Sequence, residues 1–149
     1  MDTVTFSSVL VVCTGNICRS VMAERMLGQR LPPDIRVSSA GVRALQGHPA
    51  ESGAVTVASE HGLSLGGHLA RSVTVEMLRE ASLILAMEQQ HIRHIAALAP
   101  EVCGKTLLFN YWSDRRSVPD PYRKSLDMYE YVYQLLERES LIWAQRLNQ

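Results

Sequence analysis

Lysine is almost missing from this 149-residue chain: of its 15 basic residues only Lys105 and Lys124 are lysines, the rest being arginine. Acidic residues also number 15, so the formal net charge is zero. A balanced charge speaks against nucleic acid or an anionic membrane as the main partner. The arginine bias suits anion recognition through a rigid donor fork, although an arginine-rich genome gives the same bias. Cysteine is scarce as well. Cys13, Cys18 and Cys103 are too few and too irregular for a secreted disulfide framework. No window approaches the roughly 18 to 20 apolar residues of a membrane span. Nothing near the N-terminus resembles a signal peptide, for there is no basic start and the apolar stretch Val9 to Cys13 is short. Together these absences predict a cytoplasmic chain with reduced thiols and no membrane insertion.

What is present is an ordinary globular composition, 46% hydrophobic and 20% charged, long enough for one domain over residues 1–149. Short apolar runs alternate with helical patterns. "SVLVVC" (Ser8 to Cys13), "IRVSSAG" (Ile35 to Gly41), "SLILAM" (Ser82 to Met87) and "KTLLF" (Lys105 to Phe109) read as strands. Helices are expected over Ser20 to Leu31, stopped by Pro32 and Pro33, and from Pro49 to the His61-Gly62 pair. Others follow over Thr74 to Glu80, then between Met87 and Ala99. A last helix, capped by Ser125, carries Leu126, Tyr129, Tyr133, Leu136 and Trp143 on one stripe. Strand-helix alternation of this kind means an α/β fold with a parallel sheet between helix layers. Ligands then sit beyond the carboxyl ends of the strands.

The stretch "CTGNICRS", Cys13 to Ser20, falls there, just after the first strand. A zinc site needs about four ligands, and the neighbouring chain offers no second Cys/His pair. A structural disulfide is disfavoured by compartment. An anion cradle remains. Thr14, Gly15, Asn16 and Ile17 can curl so that successive N–H groups point inward, and the following helix adds its positive end. Arg19 closes the ring as a bidentate clamp. Such surroundings lower a thiol from about 8.5 into roughly the 3.5 to 7.5 range, which makes a thiolate nucleophile of Cys13. Ser20 can donate to that sulfur and steady it as a leaving group. In "VPDPYRKS", Asp120 lies between Pro119 and Pro121 on a stiff loop that can present a carboxylic acid to a departing oxygen.

With both pieces in place, the chain resembles the low-molecular-weight protein tyrosine phosphatases, most closely the enterobacterial Wzb/Etp type. The shared marks are "CTGNICRS" and "DPY" (Asp120 to Tyr122), with "SSAG", "GHLAR", "LILAM" and "DPYRKS" in matching places. The resemblance implies a four-stranded parallel sheet flanked by helices on both faces, as in flavodoxin-like folds. It implies Cys13 as nucleophile, Arg19 as phosphate clamp and Asp120 as general acid. Thr14, Gly15, Asn16, Ile17, Cys18 and Ser20 would form the substrate loop, with Tyr122 against the incoming ring; Asn16, Ser20, Ser39 and His68 would brace the loop. It implies a cysteinyl-phosphate intermediate with no metal and no cofactor. The implied partner is a phosphotyrosine protein, a membrane tyrosine autokinase of exopolysaccharide or capsule export, met by a monomer or weak dimer. Val21 replaces the usual proline, Glu88 stands where many members carry Asp, and Leu45 to His48 lacks an aromatic wall.

Two rivals share the scaffold. An arsenate reductase needs two further relay cysteines, and only Cys103 is available. A phosphocysteine carrier of a sugar-transport relay needs no proton donor, so Asp120 speaks against it. His48, His61, His91 and His94 have no partner pattern and read as surface or capping residues. Cys103 reads as a small, partly buried side chain, and Tyr129 and Tyr133 as packing residues. Cys18 has no evident part in phosphoryl transfer. It is either packing beneath the loop or a partner that captures oxidised Cys13 as a disulfide, since a five-residue curl can bring Cα atoms within about 7 Å.

Overall fold

The computed structural model describes residues 7–148. Four strands, β1 (Ser8–Cys13), β2 (Arg36–Gly41), β3 (Leu83–Ala86) and β4 (Thr106–Leu108), form one sheet in the order β2-β1-β3-β4. Every pairing is parallel. The helices are α1 (Arg19–Arg30), α2 (Ser52–Glu60), α3 (Val75–Glu80), α4 (Gln89–Leu98) and α5 (Leu126–Leu147).

The central strand is apolar throughout because both of its faces are buried. Val9 and Val11 point into a core built with Met22, Met26 and Leu27 of α1 and Val132, Leu136 and Trp143 of α5. Leu10 and Val12, alternating with them, face Leu78 of α3 and Ile95 of α4 on the other side. Trp143 is buried without leaving its N–H unpaired, since Nε1 donates to the Phe109 carbonyl at 2.7 Å. The α2–α5 contact depends on Gly53: a Cβ there would lie 2.6 Å from the Tyr129 ring.

Several sequence expectations shift. The helix after the first strand begins one residue earlier, at Arg19, with Cys18 in the capping position. The next starts at Ser52 rather than Pro49, because the Glu51 carboxylate accepts the Gly53 N–H and caps it there. The fourth strand keeps only three residues, as Pro100–Lys105 forms a 3₁₀ turn that takes up Lys105. That turn leaves Cys103 exposed, not partly buried. Leu126, in the first turn of α5, is 54% exposed and so lies off the buried stripe that Tyr129, Tyr133, Leu136 and Trp143 do form. Among the described residues no helix is long and apolar enough to cross a membrane.

After β2 the chain keeps pairing with the first strand's continuation. Val42 N–H donates to the Cys13 carbonyl (3.0 Å), Arg43 N–H to Thr14 (2.9 Å) and Leu45 N–H to Gly15 (3.1 Å). This strap holds the residues after β1 in a fixed curl at the carboxyl end of the sheet. It requires glycine at position 41, where a Cβ would overlap the Thr14 carbonyl and come within 3.1 Å of the Asn16 nitrogen.

Candidate active site

The curl from Cys13 to Cys18 borders a cleft of about 150 Å³. Cys13, Thr14, Gly15, Ile17, Cys18 and Arg19 line it, with Leu45, Asp120 and Tyr122 on the opposite walls. The sequence thus brings together two segments a hundred residues apart. Asn16, Ser20, Ser39 and His68 do not reach the cleft and are buried behind it.

Asn16 is the keystone of that second layer. It sits in the left-handed region (φ 59°), which asparagine tolerates. Gly15, its neighbour, does not use that region. The Asn16 amide nitrogen donates to Ser20 Oγ at 2.8 Å and to Ser39 Oγ at 2.9 Å, while its Oδ1 accepts the Arg71 N–H at 2.9 Å. His68 Nε2 donates to the Asn16 carbonyl at 2.6 Å, and Ser39 passes its own proton to Glu24 at 2.6 Å. Each polar group is satisfied, and this fixes the loop before any ligand arrives.

The same network aims donors at sulfur. Ser20 Oγ accepts from Asn16, so its hydroxyl proton is free for Cys13 Sγ at 2.9 Å. The Asn16 backbone N–H adds a second donor to that sulfur at 3.3 Å. Both donors converge on the sulfur. No side chain caps α1, which leaves its first N–H groups for an anion.

Arg19 is 1% exposed and held chiefly by one edge, its Nη2 making only a long 3.4 Å bond to Thr14 Oγ1. Nη1 donates to Glu88 Oε2 and to the Val118 carbonyl, both at 2.7 Å. Val118 is in turn fastened to the end of β3 by its N–H on the Met87 carbonyl at 2.7 Å. Nη2, on the other side, lies 3.6 Å from Asp120 Oδ2. Asp120 is half exposed and accepts the Tyr122 N–H at 3.0 Å, a turn that sets both residues over the cleft.

Two contributors escaped the sequence reading. Glu88, noted only as a replacement, is the ion-pair partner of Arg19. His91 is fully buried, so of the two expectations for it the surface one fails and the capping one holds; its bond to Thr14 lies outside both. Its Nδ1 accepts the Glu88 backbone N–H at 3.1 Å, so Nε2 carries the proton and donates to Thr14 Oγ1 at 2.9 Å. Burial, then the Arg19 charge beside it, pulls His91 down to about 4. The ring is therefore neutral at ordinary pH. The E-x-x-H spacing at a helix start is half of a capping box, and that was the available signal. Cys18 is buried against Tyr129, its Sγ 3.9 Å from the phenol oxygen, and burial pushes its thiol up to about 12.

A cleft built this way offers a sulfur nucleophile, a cradle of N–H donors, a guanidinium and a carboxyl group opposite. Those parts suit the displacement of an oxygen from a tetrahedral oxyanion.

Known proteins share this sequence and this fold. Residues 8–149 match the sequence model of the family described as low molecular weight phosphotyrosine protein phosphatase. The chain is 56% identical over 143 residues to the low molecular weight protein-tyrosine-phosphatase Etp of Escherichia coli K12, covering 96% of each. It is 51% identical to Wzb of Salmonella typhimurium LT2, covering 96% of this chain and 95% of that protein. The crystal structure of the tyrosine phosphatase Wzb from Escherichia coli K30 in complex with sulphate superposes with a TM-score of 0.92 at 47% identity, covering 96% of this chain and 99% of that one. By sequence and by fold, this chain is a member of the low molecular weight phosphotyrosine protein phosphatase family.

Proposed function

We propose that the protein hydrolyses phosphotyrosine in other proteins through a phosphocysteine formed on Cys13. One observation carries this reading above all: Cys13, Arg19 and Asp120 line a single cleft, with Arg19 Nη2 3.6 Å from the Asp120 carboxylate. A phosphoryl group on the loop would meet the N–H cradle and the Nη2 edge of Arg19, which is only loosely engaged by Thr14 and Asp120. The Cys13 sulfur attacks phosphorus, the P–O bond to the phenol breaks, and Asp120 supplies the proton that the departing oxygen takes. Water then attacks the phosphocysteine, Asp120 accepts its proton, and the sulfur leaves as the Ser20-stabilised anion. Phenol and inorganic phosphate are the products. A phenolate leaves poorly because its conjugate acid ionises near pH 10, which is the reason a proton donor is needed.

The cellular partner we infer is a tyrosine autokinase of exopolysaccharide or capsule export, met in the cytoplasm by a monomer or weak dimer. Its support is similarity to Wzb and Etp and the protein's balanced charge. Turnover of an aryl phosphate in EDTA, blocked by vanadate, tests the reaction; no turnover would remove it. A pull-down with Cys13→Ser tests the partner, since that variant keeps the cradle and Arg19. Recovery of no tyrosine-phosphorylated kinase would reject it.

A further inference from the structure

A second, smaller cleft of about 100 Å³ adjoins the first, between the Cys13 loop and α4. Thr14, Val42 and Arg43 form one wall, and Gln90, His91 and His94 the other. Thr14 and Arg43 belong to the rims of both clefts. We propose that this cleft is an anion subsite, in which Arg43, assisted by His94, receives a carboxylate or second phosphate on a residue flanking the substrate's phosphotyrosine. It rests on the phosphatase reading and adds to it a basis for choosing among phosphorylated segments.

Arg43 is placed for this by its backbone. Its N–H bonds the Thr14 carbonyl at 2.9 Å, one residue from the nucleophile, so the guanidinium swings from an anchored base beside the phosphate. The side chain is exposed and, among the described residues, makes no ion pair and no hydrogen bond. By contrast, Arg19, Arg25, Arg30, Arg79 and Arg138 are all paired with carboxylates. A free planar fork matches a carboxylate or phosphate bidentately.

The surroundings leave that positive charge uncancelled. Among the described residues no carboxylate lines the cleft, and Glu88, next to its α4 wall in sequence, has both oxygens engaged: Oε2 by Arg19 at 2.7 Å and Oε1 by the Gln90 amide at 2.9 Å. His91 spends its one N–H on Thr14. Gln90 and His94, one helical turn apart on α4, thus leave His94 as the donor facing Arg43 across the cleft. The volume holds roughly three waters' worth of a small anionic head. A simple aryl phosphate carries no second anion to place between Arg43 and His94; a polypeptide can.

The test compares para-nitrophenyl phosphate with three phosphotyrosine peptides: neutral neighbours, glutamate neighbours, and a second phosphotyrosine adjacent. The parent should prefer the anionic peptides over the neutral one by about 3- to 10-fold in kcat/KM at low salt. That preference should shrink as salt rises. Arg43→Gln should erase the difference between the anionic and the neutral peptides, slowing the anionic ones by more than it slows para-nitrophenyl phosphate or the neutral peptide; His94→Gln should lessen it. A preference for only one anionic peptide identifies the source of the charge and supports the subsite. A parent without preference overturns it, and so does an Arg43→Gln variant slowed equally on all four substrates, because Arg43 would then serve the phosphate cleft. Absent turnover of para-nitrophenyl phosphate by the parent would defeat the phosphatase reading and the subsite with it.

Discussion

Glu88 holds Arg19 by the edge that faces away from the cleft, Oε2 to Nη1 at 2.7 Å. Arg19 is almost wholly buried, and its remaining contact on that edge is the Val118 carbonyl. Glu88 thus holds the Arg19 guanidinium from outside the cleft lining. We expect Glu88→Ala to lower kcat/KM by about 10- to 100-fold, the cost of misplacing a group that must meet the transition state. Glu88→Gln keeps an acceptor in the same place and should recover most of the loss. Steady-state kinetics on an aryl phosphate decide it. Unchanged rates in Glu88→Ala would mean that Val118 alone aims the guanidinium.

His91 gives a stability prediction with a definite sign. Its folded value, about 4, lies below the ordinary histidine value of 6.5. Between those limits the unfolded chain takes up a proton that the folded chain refuses. Stability from this group is therefore complete above about pH 6.5 and is lost as pH falls toward 4. The physical reasons are the burial of the ring and, after it, the Arg19 charge beside it. Urea midpoints at pH 7 and pH 5 should differ more in the parent than in His91→Asn, where nothing titrates. An equal drop in both proteins would assign the acid sensitivity to other groups.

How much of this was legible beforehand follows from the range of each signal. The buried strands, the loop at the end of the first, and the Cys13–Arg19–Asp120 set were readable because each is local or carried by the family's motifs. Glu88 and His91 were not, because their meaning lies in contacts with Arg19 and Thr14, 69 and 77 residues away. Arg43 escaped notice for the opposite reason: one exposed arginine among many carries no pattern until the strap after β2 sets it beside Thr14. The burial of Cys103 was misread because a 3₁₀ turn, rather than the end of a helix, determines which way it points.

Asp120 is tested by its leaving group. It is half exposed, turned over the cleft by its own bond to the Tyr122 N–H and set 3.6 Å from Arg19. A general acid contributes roughly 10² to 10⁴-fold when the leaving oxygen is basic. Asp120→Asn should lose most activity on phosphotyrosine and far less on aryl phosphates whose phenols are acidic. A plot of log kcat against leaving-group pKa should steepen in the variant. Parallel plots would make Asp120 a structural residue of the loop.

The loop's second cysteine remains. Tyr129 gives its phenol proton to Glu51 at 2.5 Å, so the Cys18 thiol, 3.9 Å away, is left as donor to the phenol oxygen. With its thiol raised to about 12, chiefly by burial, Cys18 is protonated at pH 7. Cys18 is thus a packed, inert thiol in the resting enzyme. The event we expect is at Cys13, which borders the cleft: peroxide oxidises its sulfur anion to a sulfenic acid with release of hydroxide. Cys18 can then displace that hydroxyl, its own proton leaving in the water formed, to give a Cys13–Cys18 disulfide. We expect peroxide to inactivate the parent with a mass loss of about 2 Da that dithiothreitol reverses, whereas Cys18→Ser should gain about 16 or 32 Da and recover poorly. Because attack requires the thiolate, the share of disulfide over sulfinic acid should rise between pH 7 and pH 9. Equal recovery in the two proteins, or a share that ignores pH, would leave Cys18 with packing as its whole role.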